Sequence, residues 1–208
     1  MKKKIAIIDY DVGNVKSVQN AIEAVGSCSP IITKNPIQIA ESDCIILPGV
    51  GAFGAAMDAL ESSGLIQIIY DEVFEKNKPL LGICVGFQIL FENSEEGNRK
   101  GLGWLPGNVI HFKEEYNISI PHFGWNEIAI NNNNWLFDGI EKNSSFYFAH
   151  SYHAVLDKSI TVATCNHGYN FPVFVRKKNI FASQFHPEKS HNSGLKLLEN
   201  FIKNVEDN

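Results

Sequence analysis

The sequence predicts an α/β protein with a mixed, mainly parallel central sheet, flanked by helices and extended by antiparallel strands in its C-terminal half. Three observations support this fold class. Short apolar runs alternate with helix-like stretches up to about residue 100, and strand-like segments separated by turn signals follow. The chain has 208 residues, of which 44% are hydrophobic. We therefore expect residues 1–208 to form one three-layer domain with a sizeable core.

The N-terminal half supplies the parallel part of the predicted sheet. Its strand-like runs are KKIAIID, SPIIT, CIILPG and KPLLGI. Its helix-like stretches are NVKSVQNAIEAVG, AAMDALESSG and LIQIIYDEVFEKN. Because each strand-like run is followed by a stretch with helical periodicity, we expect parallel strands whose connecting helices cover both faces of the sheet.

The C-terminal half supplies the predicted antiparallel strands. Its strand-like segments are GWLPGNVIHF, NEIAI, SFYFAHSYHAVL, ITVATC, FPVFVRK and NIFASQF. These strands belong either to the same sheet or to a small companion sheet, and the sequence leaves both arrangements open. The apolar positions of SGLKLLENFIKNV recur at helical spacing, which predicts a last helix.

Charge and hydropathy exclude several classes of function. The net charge is −5 at pH 7, and beyond the terminal MKKK no cluster of lysine or arginine occurs, so no nucleic-acid partner is expected. No apolar stretch approaches the roughly 20 residues that a membrane span needs. The N-terminal segment MKKKIAIIDY is too short to be a secretion signal. We therefore expect a cytoplasmic protein with a small-molecule or protein partner and no membrane association.

The four cysteines are far apart in the sequence and form no C-x-x-C pair. They are Cys28, Cys44, Cys84 and Cys165. This spacing indicates neither a disulfide framework nor a structural zinc site. In a reducing compartment the cysteines are expected to be free thiols.

A glycine-rich segment, PGVGAFG, follows the third strand-like run. Gly49, Gly51 and Gly54 match G-x-G-x-x-G, the formal pattern of a dinucleotide-binding turn. That interpretation requires an acid at the end of a strand about 20 residues later. The acids at that distance lie in a helical pattern instead: Asp71, Glu72 and Glu75. A tight turn, or a loop that offers backbone N–H groups to an anion, remains as an alternative to a nucleotide site.

The segment GICVG has the form of a nucleophile elbow, with Cys84 between Gly82 and Gly86. A sharp strand-to-helix turn crowds the backbone around the nucleophile, so glycines at both flanks relieve contacts that side chains would make. At the start of a helix, the positive end of the dipole would lower the pKa of the thiol. The alternative is a buried structural cysteine that acts as a small apolar residue.

A thiol nucleophile needs a base, and QFHPEKS supplies the best candidate among the seven histidines. His186 and Glu188 lie two residues apart at the end of a strand-like run, so both can project to the same side. Glu188 could then fix the imidazole tautomer while His186 accepts the thiol proton. His150 and His153 form H-x-x-H without a third ligand at useful spacing, which disfavours a metal. The remaining histidines are predicted to be surface or hydrogen-bonded residues: His111, His122, His167 and His191.

The order PGVGAFG, GICVGFQ and HPEKS resembles that of the class I, triad-type glutamine amidotransferases. The further segments IIDYDVGN, SEEG, PHFGWN and YFAHSY resemble the HisH-type glutaminase subunits of imidazole glycerol phosphate synthase. The resemblance extends from about residue 4 to the last helix. It implies a three-layer amidotransferase fold and a glutaminase that delivers ammonia to a separate, HisF-type cyclase subunit. It implies neither a metal nor an organic cofactor.

The resemblance also implies roles for individual residues. The implied catalytic residues are Cys84 as nucleophile, His186 as base and then acid, and Glu188 as the orienting group. The implied oxyanion hole consists of backbone N–H groups at Val50, Gly51 and Val85. The implied glutamine-binding residues are Gly51, Gln88, Ser151 and Tyr152. The implied partner-facing residues are Asn14, Trp125, Tyr147 and Lys189.

Four positions differ from the family pattern: Asp11, Phe123, Ala182 and His191. None of them removes a catalytic group, but they keep open a paralogous synthase that amidinates a surface sugar. A related family of cysteine-elbow hydrolases and chaperones usually carries a histidine directly after the cysteine, whereas this chain has Val85 there. A non-enzymatic nucleotide-binding module that uses PGVGAFG is the remaining alternative.

Overall fold

A computed structural model describes residues 2–26, 28–113, 115, 118–131 and 134–204. The strands of this part of the chain are β1 (Lys3–Ile8), β2 (Cys28–Thr33), β3 (Cys44–Gly49), β4 (Leu80–Cys84), β5 (Asn93–Ser94), β6 (Arg99–Lys100), β7 (Asn108–His111), β8 (His122–Ile130), β9 (Ser145–His150), β10 (Tyr152–Val155), β11 (Thr161–His167), β12 (Tyr169–Lys177) and β13 (Ile180–Ser183).

The α-helices of the same part are α1 (Val15–Val25), α2 (Pro36–Ala40), α3 (Phe53–Ser63), α4 (Ile66–Tyr70), α5 (Val85–Gln88) and α6 (His191–Lys203). One turn of π-helix, Asp71–Glu75, continues α4. Short 3-10 helices occur at Glu96–Asn98, Trp135–Phe137, Lys158–Ile160 and Pro187–Lys189. Helix α1 packs against α6, and α3 packs against α4 and α5.

The central sheet is mixed, as the sequence predicts. Its strand order is β2-β1-β3-β4-β13-β12-β11-β8-β9, and the strands from β2 to β13 are parallel. The remaining strands are antiparallel to their neighbours. A second sheet has the order β10-β7-β5-β6. The C-terminal segments therefore enter both the central sheet and a companion sheet, so both arrangements that the sequence left open occur.

Several elements differ from the prediction. The segment SFYFAHSYHAVL is not one strand, because it breaks at Ser151 and its two halves, β9 and β10, join different sheets. Only Asn108–His111 of the segment GWLPGNVIHF is a strand, whereas NEIAI is the end of the longer strand β8. The short helix α2 and the two-residue strands β5 and β6 were not predicted.

The site is positioned by three adjacent parallel strands that end at the same edge of the sheet. Gly49 at the end of β3 pairs with Cys84 at the end of β4. Ser183 at the end of β13 pairs with Ile83 of β4. The loops that follow these strands therefore emerge side by side, as they do at the carboxyl edge of other parallel sheets. All residues of β3, β4 and β13 are buried, so this edge is held by the core.

Two predictions from composition can be compared with the structure. All four cysteines are free and buried. Within the described ranges, no helix has both the length and the apolar composition that crossing a membrane requires.

Candidate active site

Cys84 lies at a strained turn between strand β4 and helix α5. Its backbone has φ 56° and ψ −108°, which a residue with a side chain rarely adopts. A Cβ added at Gly86 would lie 1.8 Å from the carbonyl oxygen of Leu47, and one at Gly82 would lie 2.8 Å from that of Gly86. The predicted sharp turn is therefore present, and both flanking glycines are required by close backbone approach.

The helix after Cys84 is shorter than the sequence suggests. Helix α5 contains four residues, Val85–Gln88. A single turn aligns few peptide dipoles, so the dipole of a long helix is not available at this position. The charged group beside the thiol is instead the imidazole of His186, which follows strand β13.

His186 lies between Cys84 and Glu188. Its Nδ1 atom is 2.7 Å from Oε1 of Glu188, and both side chains are almost completely buried. Burial alone would lower the pKa of His186, but the charge and hydrogen bond of Cys84, together with those of Glu188, outweigh it and raise the pKa to about 10. The arrangement thus favours the imidazolium form of His186. A thiol, an imidazole and a carboxylate from two distant segments are therefore brought together.

The route by which Glu188 reaches His186 differs from the prediction. Strand β13 ends at Ser183, and Glu188 lies in the 3-10 helix Pro187–Lys189. Strand alternation therefore does not bring the two side chains together. The turn does so, and the hydroxyl of Ser190 holds it by donating to the carbonyl oxygen of His186 at 2.6 Å.

A cavity of about 410 Å³ opens at Cys84 and His186. All the residues predicted for the oxyanion hole and for glutamine binding line it: Val50, Gly51, Val85, Gln88, Ser151 and Tyr152. Glu188 contacts the Nδ1 side of His186 and does not line the cavity. The structure therefore brings together the groups that the sequence places in four separate segments.

The glycine-rich segment contributes a loop to this cavity. Val50 and Gly51 lie directly after β3, and Gly51 has φ +89° with no atom within 4 Å of an added Cβ. Conformation, and not lack of space, is therefore the reason for glycine at this position. The acids about 20 residues later in the sequence lie in a helix, as predicted, namely in the π-helical turn that continues α4. Glu72 of this turn forms ion pairs with Lys76 and Lys78.

Three of the four predicted partner-facing residues lie together beside His186. The rings of Trp125 and Tyr147 are 6.0 Å apart, and Nζ of Lys189 lies 5.5 Å from the centre of the Tyr147 ring. The ring of His191 stacks on Trp125 at 4.7 Å. Asn14 begins helix α1, where its side chain accepts a hydrogen bond from the backbone of Ser17.

Several residues that line the cavity were not assigned to it from the sequence: Glu96, Pro121, Phe123, Ala149 and His150. Tyr10, beside the site, was also missed. Glu96 lines the cavity, and its carboxylate accepts a hydrogen bond from the backbone N–H of Phe53 at 2.8 Å. Tyr10 donates its hydroxyl to the carbonyl oxygen of Pro48 at 2.7 Å, and burial followed by the charge of Cys84 raises the pKa of this phenol. The segments SEEG and IIDYDVGN pointed to both positions without indicating what each side chain contacts.

The H-x-x-H pair does not form a metal site. His153 contacts the carbonyl oxygen of Ala154 and the hydroxyl of Tyr169, and His150 contacts His122 and the carbonyl oxygen of Tyr152. Within the described part of the chain, no group of three potential metal ligands lies close enough together to hold an ion.

Solved structures with similar folds include a glutamine amidotransferase. It superposes on this chain with a TM-score of 0.73 at 18% identity, covering 97% of this chain and 98% of that one. PurLQS from Thermotoga maritima gives a TM-score of 0.72 at 22% identity, covering 99% and 100%. These likenesses establish the fold.

Sequence relatives are closer. The family model for class-I glutamine amidotransferases matches residues 6–205. The imidazole glycerol phosphate synthase subunit HisH of Methanocaldococcus jannaschii is 48% identical over 200 residues, which cover 96% of this chain and 98% of the relative. Subunit HisH 2 of Vibrio vulnificus is 44% identical over 200 residues, which cover 96% and 94%. The chain therefore belongs to the class-I glutamine amidotransferase family and, within it, to the HisH subunits.

Proposed function

We propose that this chain is the glutaminase subunit of imidazole glycerol phosphate synthase. It hydrolyses L-glutamine to glutamate and passes the ammonia to a HisF-type cyclase subunit, which forms imidazole glycerol phosphate and AICAR from PRFAR. The observation that carries the proposal is His186, placed between Cys84 and Glu188 at a cavity of about 410 Å³. The family match over residues 6–205 also supports one amidotransferase domain spanning residues 1–208.

The chemistry follows from the order of the three groups. Glu188 accepts a hydrogen bond from Nδ1 of His186, so Nε2 is the nitrogen that exchanges a proton with Cys84. The thiolate attacks the carbon of the glutamine side-chain amide, and His186 protonates the departing ammonia. His186 then accepts a proton from water, whose attack on the glutamyl thioester releases glutamate and restores the thiol.

The lining of the cavity suits the two ends of glutamine. In the proposal, the backbone N–H of Val85 and one from the Val50–Gly51 loop stabilise the oxyanion of the tetrahedral intermediate. Gln88 directs its amide N–H groups to the carbonyl oxygen of Tyr152 and to Gln184, both at 3.0 Å, which leaves its own carbonyl oxygen for the substrate amino group. Ser151 and Tyr152 complete the glutamine-binding wall.

The proposed partner surface is defined by Asn14, Trp125, Tyr147 and Lys189. Phe123 and Trp125 project from one face of β8 and are 70% and 47% exposed, which is unusual for large apolar side chains at a solvent-facing strand. Tyr147 is connected to the site, since its carbonyl oxygen accepts a hydrogen bond from the backbone N–H of His186 at 2.9 Å. A synthase subunit bound here would lie directly against the catalytic segment.

The proposal is tested by replacing the nucleophile in the assembled synthase. Cys84→Ala should abolish glutamine-dependent product formation and leave ammonia-dependent formation nearly unchanged, because the acceptor chemistry belongs to the other subunit. Cys28→Ala serves as the matched control, since Cys28 is also buried but lies on β2, away from the cavity. Equal loss with both nitrogen sources would contradict the proposal. Ammonia-dependent turnover of an acceptor sugar but not of PRFAR would identify the surface-sugar synthase.

A further inference from the structure

A pair of buried histidines lies at the wall of the cavity, outside the proposed catalytic groups, and one of them, His150, lines the cavity. His122 on β8 and His150 at the end of β9 are 4% and 6% exposed, and Nδ1 of His122 is 3.0 Å from Nε2 of His150. Nδ1 of His150 is 2.7 Å from the carbonyl oxygen of Tyr152. At the other end, Nε2 of His122 is 3.1 Å from the side-chain nitrogen of Asn126.

The orientation of the Asn126 amide is set by backbone groups and not by the histidines. Its Oδ1 accepts a hydrogen bond from the N–H of Glu127 at 2.9 Å, and its Nδ2 donates to the carbonyl oxygen of Asn166 at 3.0 Å. The second hydrogen on Nδ2 is therefore directed at Nε2 of His122. Because Nε2 accepts, a neutral His122 carries its proton on Nδ1.

The hydrogen bond between the two rings also fixes the position of the proton on His150. Nδ1–H of His122 donates to Nε2 of His150, so His150 also carries its proton on Nδ1 and donates it to the carbonyl oxygen of Tyr152. A carbonyl oxygen can only accept, so both ends independently require the same direction. A second proton on either ring would oppose a donor, and burial lowers the pKa of both imidazoles accordingly.

The carbonyl oxygen of Tyr152 connects the histidine pair to helix α5, which follows Cys84. It accepts from His150 at 2.7 Å and from the side-chain amide of Gln88, on α5, at 3.0 Å. It belongs to the turn at which the chain leaves the central sheet for the companion sheet. Fixing this oxygen therefore fixes the turn relative to the helix that follows Cys84.

We propose that His122 and His150 are positioning residues, which form a one-way hydrogen-bond chain from Asn126 to the carbonyl oxygen of Tyr152 and hold the glutamine-binding turn in place. The inference rests on the proposed function, because Ser151 and Tyr152 are assigned there to the glutamine site. It adds a function for two histidines that do not touch the reacting atoms. Their loss acts on glutamine affinity more than on the chemical step.

The first test measures the donor-to-acceptor direction of the hydrogen-bond chain, without any substrate. In full-length protein labelled with ¹⁵N-histidine at pH 8, long-range ¹H–¹⁵N spectra report which ring nitrogen carries the proton. Both His122 and His150 should be neutral with the proton on Nδ1. In Asn126→Asp, which is similar in size but offers only acceptors, His122 should change to the Nε2–H form or to an imidazolium. An Nε2–H tautomer of His150 in the wild-type protein, or an unchanged His122 in the variant, would overturn the proposal.

The second test separates positioning from ring packing with two variants of similar size. His150→Asn places an amide nitrogen near Nδ1 and keeps the donor to Tyr152, whereas His150→Gln places its amide near Nε2 and loses that donor. In the assembled synthase, glutamate release should show a KM for glutamine within about twofold of the wild type in His150→Asn. The KM should be about tenfold higher in His150→Gln, with kcat changed less, since one hydrogen bond is lost.

Equal KM values in the two variants would show that only ring packing matters and would overturn the positioning role. If neither variant folds, the tautomers of the wild-type protein still decide the question. Absence of glutamate release from the wild-type synthase would overturn the proposed function and leave the tautomer measurement intact. The two failures are therefore distinguishable.

Discussion

Gly86 is the residue that determines how closely helix α5 approaches strand β3. A Cβ there would lie 1.8 Å from the carbonyl oxygen of Leu47, whereas nothing lies within 4 Å of a Cβ at Gly54 in helix α3. Gly86→Ala should therefore lower the free energy of unfolding by at least about 2 kcal/mol, because backbone must shift. Gly54→Ala should leave it unchanged or raise it by up to about 1 kcal/mol. Urea denaturation of both variants measures the difference, and equal stabilities would contradict this account.

His186 and Glu188 should contribute unequally to catalysis. Removing the imidazole leaves the thiol without a base and ammonia without a proton donor, whereas removing the carboxylate leaves both functions in a misaligned ring. His186→Ala should lower glutamine turnover by about a thousand-fold or more, and Glu188→Ala by no more than that. Glu188→Gln retains an acceptor for Nδ1 and should be the mildest of the three.

The measurement is glutamate release by the assembled synthase, with Cys84→Ala as the background. A His186→Ala protein that remains substantially active while depending on Cys84 would assign the base to another residue. His150 and His153 are the next histidines in the region, but both are engaged in hydrogen bonds to backbone carbonyl oxygens.

That Cys84, His186 and Glu188 lie close together could be predicted from sequence, because each lies in a short pattern that is recognisable locally. Cys84 lies between two glycines after an apolar run, and His186 is two residues from an acid. Glu96 and Tyr10 could not be placed in the same way. Each contacts a backbone group that is distant in sequence: Glu96 accepts from the N–H of Phe53, and Tyr10 donates to the carbonyl oxygen of Pro48. Local periodicity carries no information about such contacts.

At the scale of elements, the π-helical turn after α4 is held by a buried carboxylate. Glu72 is completely buried and forms ion pairs of 2.6 Å with Lys76 and 2.7 Å with Lys78. Lys78 is itself 9% exposed and donates to the carbonyl oxygens of Ile39 and Ala40, at the end of α2. The carboxylate therefore ties the turn to a second helix through a buried ammonium group.

Glu72→Gln should destabilise the protein by about 3 kcal/mol, because it keeps the shape of the side chain and leaves the Lys78 ammonium buried without its counter-charge. Lys76→Ala is the matched control, since that lysine is 60% exposed and its loss should cost less than about 1 kcal/mol. Urea denaturation gives both values. A cost for Glu72→Gln no larger than that of the control would show that the buried pair contributes nothing to stability.

The break between β9 and β10 shows why element boundaries were less predictable than element types. The segment SFYFAHSYHAVL reads as one strand because its apolar pattern is continuous. Its division at Ser151 depends on strands elsewhere in the chain. His150 pairs with His122 of β8, whereas Tyr152 pairs with His111 of β7. The two halves of the segment pair with different sheets, so the point of division depends on tertiary contacts and not on the local sequence.

At the scale of the whole molecule, the proposed partner surface and the proposed glutamine site share the same strands. Strand β8 presents Trp125 on one face and His122 on the other, because side chains alternate along a strand. The exposed face lies beside Tyr147 and Lys189, and the buried face contacts His150, which lines the cavity. A partner that displaces β8 by a small amount would therefore alter both the proposed catalytic segment and the proposed glutamine-binding turn.

This arrangement leads us to expect that the isolated chain is a slow glutaminase and that its synthase partner activates it. Gly51, at φ +89°, lies in a loop whose peptide can turn its N–H towards or away from the oxyanion at little steric cost. Loss of one such donor typically lowers turnover about a hundred- to a thousand-fold. Glutamate release should therefore rise by a comparable factor when partner and acceptor substrate are both added.

Lys189→Ala should lose much of that rise, because Lys189 directly follows Glu188 and faces the proposed partner surface beside Tyr147. Gly51→Pro should also lose it, since proline cannot adopt the positive φ of this loop. Lys100→Ala is the matched control, because this exposed lysine lies on β6 in the companion sheet. The assay compares glutamate release with and without the synthase partner for all four proteins. Full activity of the isolated wild-type chain would refute partner activation even if every catalytic assignment were right, because an oxyanion hole formed in the free subunit would need no partner to complete it.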